Sequence, residues 1–189
     1  ALDELAAEHV VVRRQGKGTF VATHEEPRAH FRFLRLRPPG GATGASRSHI
    51  LDCRRLRAPV GVARPLNLRT GEGVVLIRRV LSFDDEPTVL DEIWLPGALF
   101  RGLTADRLAA DTGSLYGLFE TGFGVRMVRC REQIRATAAD APTASALAVA
   151  QGTPLLQVDR LSLTYDERPV EVRRGWYLTR SHHYENELG

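Results

Sequence analysis

Residues 10–22 place three cations and two glycines at the tip of a predicted hairpin, with no acidic side chain among them. The glycines would let the backbone approach a partner closely, and the cations would neutralise phosphates or enter a narrow minor groove. A solvated hairpin tip is the alternative that charge alone leaves open. The residues concerned are Arg13, Arg14, Gly16, Lys17 and Gly18.

A second candidate for anion chemistry is Arg79, which lies among apolar neighbours in a predicted strand. A guanidinium there would offer a forked donor to a phosphate or carboxylate, although a surface arginine in a β-ladder is the alternative. Ser114 and Tyr116 lie where a helix is predicted to begin, and free backbone N–H groups at that end favour an anion. Simple N-capping by Ser114 is the alternative, and the two roles can coexist.

The first 22 residues predict a small unit that ends in a hairpin. A helix-forming segment is followed by a β-branched run, a glycine turn and a returning strand. One helix and one hairpin cannot bury a core, so we expect this unit to be the end of something larger. Its elements are a helix at 1–8, a strand at 10–12, a turn at 15–18 and a strand at 19–21, followed by a linker at 23–30 and an exposed loop at 38–46.

The remainder of the chain predicts strands that are interrupted by single helices. From about residue 47 the pattern is mixed, and clear periodicity begins at Val74. Two hairpins are expected, the first with a four- or five-residue connection, and they indicate an α+β domain with a largely antiparallel sheet. The predicted strands span 74–81, 88–95, 125–136, 155–165 and 170–178, and the predicted helices span 115–120 and 143–150.

Composition indicates a globular protein of modest charge. The chain has 189 residues, 43% hydrophobic and 26% charged, with a formal net charge of +3. No apolar run is long enough to span a membrane and no signal peptide opens the chain, so we expect a cytoplasmic location. Cys53 and Cys130 are widely spaced, which predicts free thiols. His182 and His183 are adjacent, so on a strand they would point to opposite faces; we expect neither a metal nor a cofactor.

The first block of the chain resembles the end of a winged helix-turn-helix of the GntR family of transcription regulators. Residues 1–8 resemble the close of the recognition helix, and residues 11–21 resemble the wing; His9 stands where the family usually has glycine. The resemblance implies that Arg13, Arg14, Gly16, Lys17 and Gly18 lie on DNA. The resemblance covers only part of the winged helix-turn-helix, and a recognition helix needs its partner helix for support.

Most of the remaining chain resembles the UTRA effector-binding domain of the HutC subfamily. That implies a chorismate-lyase-like α+β fold and three segments: the end of the winged helix-turn-helix at 1–22, linker and loop at 23–45, and the UTRA domain at 46–189. The matching blocks are Arg78–Val80 with Asp85–Pro87, Glu92–Pro96, Ser114–Tyr116, Ala144–Leu147 with Gly152–Leu156, and Arg168–Glu171 with Trp176–Tyr177.

The resemblance also implies an effector pocket. Asp91 and Glu171 resemble acidic residues that accept hydrogen bonds from effector hydroxyls or amines, with paired surface carboxylates as the alternative because arginines such as Arg173 are near. Tyr177 resembles a pocket tyrosine, with core packing as its alternative. Family members that sense sugar phosphates often have arginine at the position of Leu81. The leucine here weakens the sugar-phosphate interpretation and leaves room for a less charged or different anion. The implied contacts are Arg79, Asp91, Ser114, Tyr116, Glu171 and Tyr177.

The resemblance therefore predicts a ligand-responsive repressor. Its expected partners are operator DNA, a second copy of the chain and a small metabolite such as a sugar phosphate or carboxylate. Effector binding would change the relative arrangement of the two DNA-binding domains in a homodimer. The alternative is a lyase-like enzyme on the same fold, but the sequence shows no nucleophile–base pair, phosphate loop or metalloprotease motif.

Overall fold

A computed structural model describes residues 35–38, 46–111 and 113–186, together with the backbone of two strands near the start of the chain. These strands, β1 (Val11–Arg14) and β2 (Gly18–Val21), pair antiparallel. Val11 lies opposite Val21 and Arg14 opposite Gly18, so the predicted hairpin is confirmed. The helix predicted at 1–8 and the linker predicted at 23–30 lie outside the described residues.

A six-stranded antiparallel sheet forms the body of the domain, in the order β4-β5-β6-β9-β8-β7. Consecutive strands form its two halves, and the pairing of β6 with β9 joins them. This confirms the α+β class with a largely antiparallel sheet. The strands are β4 (Ser46–Arg57), β5 (Gly73–Phe83), β6 (Glu86–Pro96), β7 (Arg129–Ala138), β8 (Pro154–Leu163) and β9 (Pro169–Tyr177).

Short helices connect and cover the strands, and three of them begin at side-chain caps. Ser114 Oγ accepts from Gly117 N over 2.9 Å, which confirms the predicted helix start, and Gly124 ends that helix at φ 65°. Thr104 and Asp140 cap two others in the same way. The helices are α1 (Val60–Ala63), α2 (Ala105–Ala110), α3 (Leu115–Phe123) and α4 (Ala141–Ala146), and a 3₁₀ turn at Tyr165–Glu167 lies between β8 and β9.

The two faces of the sheet have different coverings because side chains alternate along each strand. We call the face that carries Arg79 the site face and the face that carries Arg78 the opposite face. On the site face α3 packs on one end of the sheet, where the core includes Val75, Ile77, Ile93, Phe100 and Phe119. The opposite face carries two smaller cores, one around Val62 and Leu66 and one around Ala144 and Leu147.

A two-residue ladder covers the other end of the site face. The strands β3 (Leu36–Arg37) and β10 (His183–Tyr184) pair antiparallel, with Leu36 opposite Tyr184. Leu36 is fully buried in a cluster that includes Leu81, Phe83 and Tyr177. The centre of the site face therefore lies between the α3 core and this ladder.

Four local expectations need correction. Strand β4 was not predicted, because it is an edge strand whose side chains are mostly exposed and show no clean alternation. The β5–β6 connection has two residues, Asp84 and Asp85, since Phe83 pairs with Glu86. Helix α4 begins earlier than predicted, capped by Asp140, and ends before Ala148, whose φ is 53°. Strand β7 begins only at Arg129.

No helix among the described residues has the length and apolar character needed to cross a membrane.

Candidate functional site

Arg79 and Asp91 lie opposite each other in the β5–β6 pairing and form a buried ion pair. Arg79 Nε and Nη2 both donate to Asp91 Oδ2, over 3.0 and 2.9 Å. Arg173, from β9, places Nη1 at 3.3 Å from the same oxygen. Asp91 is only 1% exposed, so two guanidinium groups replace the water that its Oδ2 has lost.

Glu171 forms the second buried carboxylate site, and it is 0% exposed. Its Oε1 accepts from Tyr116 OH over 2.8 Å and from Ser162 Oγ over 2.9 Å, while its Oε2 accepts from Arg173 Nη2 over 2.9 Å. The guanidinium carbon of Arg173 also lies 5.2 Å from the centroid of the Tyr116 ring, within the range of a cation–π contact. Arg173 therefore joins the two carboxylates.

A third ion pair lies one strand further across the sheet. Arg160 donates to Glu132 Oε1 through Nε over 2.6 Å, and its Nη1 lies 3.5 Å from Tyr116 OH. Arg160 lies opposite both Arg173 and Glu132 in the strand register, so the pair continues the same row. We call this row the polar cluster; its members are Arg79, Asp91, Tyr116, Glu132, Arg160, Ser162, Glu171 and Arg173.

Burial and neighbouring charges shift the pKa of several members of the polar cluster. Burial lowers the pKa of Arg79, and the charge of Asp91 opposes that shift. For Arg173, burial alone would lower the pKa, but Glu171, Tyr116 and Asp91 raise it above its usual range. Burial raises the pKa of Tyr116, although Arg173 opposes the shift. Arginine stays charged in every case, so the cluster combines permanent cationic forks with a neutral phenol donor.

Two polar atoms of the cluster are buried without a hydrogen-bond partner among the described residues. They are Asp91 Oδ1, an acceptor, and Arg173 Nε, a donor. Buried polar atoms are hydrogen-bonded in the great majority of cases, so an open acceptor and an open donor in one row are unusual. The arrangement can accept one hydrogen bond and donate one without breaking any contact named above.

Tyr177 lies at the end of β9 nearer the β3–β10 ladder. It is 1% exposed and packs in the cluster that contains Leu36 and Val158, so the core-packing alternative applies to it. A Cβ on Gly175 would stand 2.4 Å from Tyr177 Cε1 and 3.1 Å from Asp91 Oδ1. The absence of a side chain at position 175 therefore makes room for both the tyrosine and the carboxylate.

The structure brings four of the six predicted effector residues into direct contact with one another or with Arg173. Arg79, Asp91, Tyr116 and Glu171 belong to the polar cluster, and Tyr177 lies on the same face. Ser114 caps α3, so the capping alternative applies to it. Asp91 and Glu171 are both paired with arginine, as the alternative of paired carboxylates predicted. The pairs lie deep in the domain rather than at its surface.

Four members of the cluster were not among the predicted effector residues: Glu132, Arg160, Ser162 and Arg173. Three of these residues lie two positions from another cluster member on the same strand, because Arg160 precedes Ser162 and Glu171 precedes Arg173 by two residues. This i, i+2 spacing places each pair on one face of its strand. Polar residues repeated on the core-facing side of an otherwise apolar strand are the signal that could have identified them.

The predicted DNA contacts are only partly within the described residues. Arg13 and Arg14 belong to β1, and Gly18 begins β2, opposite Arg14. Gly16 and Lys17 lie outside the described residues. The roles of all five in DNA binding stay predictions.

The thiols and the C-terminal histidines take no part in the polar cluster contacts described above. Cys53 and Cys130 are free, as predicted. His182 packs against Phe83 with ring centroids 5.2 Å apart, and its Nδ1 lies 3.1 Å from Ser181 Oγ. Within the described ranges no three His, Cys, Asp or Glu side chains are grouped in a way that could hold a metal ion.

A cavity of about 350 Å³ lies elsewhere, between the α1–β5 connection and the β8–β9 turn. Its lining includes Leu66, Leu99, Asp166 and Arg168, and no member of the polar cluster. We favour the polar cluster as the functional site, because buried and incompletely satisfied charges point to a ligand more directly than an open hollow does.

Comparison with known proteins identifies the domain. The family model of the UTRA domain matches residues 42–183. The chain belongs to the UTRA family. A fructoselysine utilization operon transcriptional repressor from Escherichia coli O157:H7 is 30% identical to this UTRA protein over 173 residues, which covers 91% of this chain and 70% of the relative. An HTH-type transcriptional regulator from Mycobacterium tuberculosis is 33% identical over 166 residues, 86% of this chain and 60% of the relative.

A solved structure supports the same assignment. The ligand-binding domain of a GntR-family transcriptional regulator from Bordetella bronchiseptica superposes with a TM-score of 0.82 at 58% identity, covering 84% of this chain and 98% of that domain. This UTRA protein is therefore a GntR-family, ligand-responsive transcriptional regulator, and the lyase alternative finds no support among these relatives.

Proposed function

We propose that the effector of this regulator is a small anion that also carries hydroxyl or amine groups, and that it binds at the polar cluster. The observation that carries the proposal is the pair of unsatisfied buried atoms, Asp91 Oδ1 and Arg173 Nε, beside three buried arginines. An anionic group would accept from the guanidinium donors, and a hydroxyl or amine would donate to Asp91.

The balance of charges narrows the ligand class. Position 81, where some family members have a second arginine, is a leucine here. Leu81 is buried in the apolar cluster around Leu36. Arg173 instead supplies the second cation, next to Arg79 on the shared carboxylate of Asp91. A ligand with one anionic group and several hydroxyls, such as a sugar phosphate or hydroxy acid, fits this set better than a dianion without donors.

The effect of the effector on operator binding follows from thermodynamic linkage. An effector that binds one arrangement of the domains more tightly shifts the population toward it, and operator DNA and effector then change each other's affinity by the same factor. We infer a cytoplasmic homodimeric repressor without catalytic activity, in which the residues of the β1–β2 hairpin contact operator phosphates.

The test is an effector titration with matched arginine variants. Arg79→Gln should weaken binding of the responsive metabolite by about tenfold or more, because a charge-assisted hydrogen bond contributes about 1.5–3 kcal/mol. Arg78→Gln is the control, since Arg78 is adjacent in sequence but faces the other side of the sheet and pairs with Glu92. Sugar phosphates and hydroxy acids are titrated by calorimetry, and operator affinity is measured with and without them.

Two results would overturn the proposal. One is equal loss of binding in both arginine variants, which would mean that the effect is not local to the polar cluster. The other is operator affinity that no anionic metabolite changes, in protein whose thermal unfolding shows that it is folded.

A further inference from the structure

We propose that Glu132 is a positioning residue that connects the polar cluster to the β3–β10 ladder, so that an anion bound at Arg160 changes how firmly that ladder is held. The inference rests on the proposed effector site and concerns the regulation of that site. It starts from the way in which one carboxylate divides its two oxygens between two parts of the domain.

Glu132 Oε1 faces the cluster, and Oε2 faces the ladder. Oε1 accepts from Arg160 Nε over 2.6 Å and from Nη2 over 2.5 Å. Oε2 accepts from the hydroxyl of Tyr184, which belongs to β10, and lies 3.8 Å from Nε of Arg35, the residue before β3. The side chain of Glu132 is only 12% exposed, so its hold on these partners is weakly screened by solvent.

The contacts continue from Arg160 into the cluster. Its Nη1 lies 3.5 Å from Tyr116 OH, and Tyr116 donates to Glu171, which holds Arg173. A carboxylate or phosphate that takes donors from Arg160 would therefore compete directly with Glu132 for the same guanidinium.

The ladder is an element that a modest change in free energy can shift. Its contacts include two residue pairs, a backbone bond from Glu185 N to Arg35 O of 2.8 Å, a side-chain bond from Arg35 to Asn186, and a partly exposed ion pair between Arg37 and Glu185 at 3.5 Å. Two-stranded ladders of this size have little stability of their own. Its main anchor is the burial of Leu36 and the bonds to Glu132.

The position of β3 along the chain connects the ladder to the β1–β2 hairpin. The β1–β2 hairpin lies upstream at 11–21, and β3 is the next strand along the chain among the described residues. When an anion draws Arg160 away, Glu132 keeps Arg35 as its cationic neighbour and the hydroxyl of Tyr184 as its hydrogen-bond donor, and its stronger attraction to both pulls β3 and β10 toward the sheet. Effector binding therefore tightens the ladder, and so alters the anchor from which the upstream hairpin is carried.

The experiment measures hydrogen exchange in the complete regulator, in peptides that cover 35–38 and 183–186. Arg160→Gln imitates the withdrawal of the guanidinium and should slow exchange in both segments by about threefold or more, and in a Tyr184→Phe background this slowing should shrink. Arg174→Gln is the matched control, because Arg174 is on the next strand, faces the other side and binds Asp159 at 2.8 Å. It should leave exchange in both segments unchanged.

A second arm uses inorganic phosphate as the probe. Binding is followed by thermal shift, and exchange is measured with and without phosphate at saturation. Slowed exchange at 35–38 in the wild type, but not in Tyr184→Phe, supports the proposal. Phosphate that binds without changing exchange at 35–38 overturns it and leaves the effector site intact.

The remaining outcomes separate the two proposals. If phosphate and anionic metabolites do not bind, the effector site is wrong, whereas the response of the ladder to Arg160→Gln still decides the role of Glu132. Unchanged or faster exchange at 35–38 in Arg160→Gln overturns that role. If Arg160→Gln does not fold, Tyr184→Phe alone decides: equal slowing by phosphate in this variant and in the wild type overturns the link through Glu132.

Discussion

Three arginines and three carboxylates share the centre of the site face, and each arginine is bonded to at least one carboxylate. Desolvation of six charges costs much free energy, and their mutual attraction offsets it only where geometry and hydrogen bonding are good. Residues that set that geometry without carrying charge are therefore as important as the charges. Gly175 and Tyr116 are two such residues, and each supports a prediction.

Gly175→Ala should destabilise the domain by about 1–3 kcal/mol, the usual cost of forcing an extra methyl group into a filled site. The new Cβ would stand 2.4 Å from Tyr177 Cε1 and 3.1 Å from Asp91 Oδ1, so either the ring or the carboxylate must move. The measurement is urea unfolding of both proteins. Gly61→Ala is the control, because nothing lies within 4 Å of a Cβ there, and a comparable loss in the control would contradict the steric explanation.

Stability should fall as the pH rises above about 10, and Tyr116→Phe should reduce that fall. The pKa of Tyr116 is raised from 10.0 by burial, so the unfolded chain loses this proton first. The contribution of the neutral hydroxyl is complete below pH 10.0 and is lost as the pH approaches the folded-state pKa. Unfolding free energy measured from about pH 8 to about pH 11 checks this. Burial also raises the pKa of Tyr177 and Tyr184, so part of the fall should remain; an identical slope in the variant would contradict the assignment.

At the scale of elements, the β5–β6 hairpin determines which residues of the two strands face each other. Its turn residues, Asp84 and Asp85, have φ of 48° and 65°, and both signs are those of a type I′ turn. The two-residue turn and a bulge between Leu81 and Ser82 set the register in which Arg79 lies opposite Asp91. A slip by one residue would place Arg79 and Arg78 on exchanged faces.

Replacing Asp84-Asp85 by Asn-Gly should stabilise the domain by about 0.5–1 kcal/mol, because this pair adopts positive φ at lower cost. The exposed ion pair between Arg47 and Asp85 would be lost, but such pairs contribute little. Thermal and urea unfolding measure the change. Asp84→Val is the opposing variant and should lower stability by about 1–2 kcal/mol, since a β-branched residue resists positive φ. Stabilisation by valine would contradict the turn assignment.

At the scale of the whole molecule, we propose separate binding roles for two charged regions. The sequence of residues 10–22 contains three cations and no acidic residue, which favours contacts with a polyanion. The polar cluster has balanced charge and is buried, which favours a small ligand that completes its hydrogen bonds. Substitutions in one region should therefore affect one kind of binding and leave the other largely unchanged.

Arg13→Ala with Arg14→Ala should weaken operator binding and reduce the salt dependence of the binding constant. Each lost phosphate contact lowers the slope of log K against log salt by about one. Binding is measured by fluorescence anisotropy across a range of salt concentrations. Arg131→Ala, at an exposed arginine of β7 that pairs with Glu167, is the control. An unchanged salt slope in the double variant would mean that these arginines do not contact DNA.

The sequence alone determined the local elements. The hairpin at the start of the chain, the start of α3 at Ser114 and the antiparallel character of the sheet follow from alternation, turn residues and caps, which act over a few residues. Arg79 was identified as a cation among apolar neighbours in a strand, whereas Asp91 and Glu171 were identified through the resemblance to the family. The edge strand β4 escaped prediction because its exposed side chains carry no periodic signal.

Only the tertiary structure decided which charges meet. Arg78 and Arg79 are adjacent in sequence, as are Arg173 and Arg174, and the face that each occupies depends on how β5 and β9 pair with their neighbours. The pairing of β6 with β9 brings Asp91 to Arg173 across 82 positions of sequence separation. Such register is set by packing between distant segments, and no local pattern of residues encodes it.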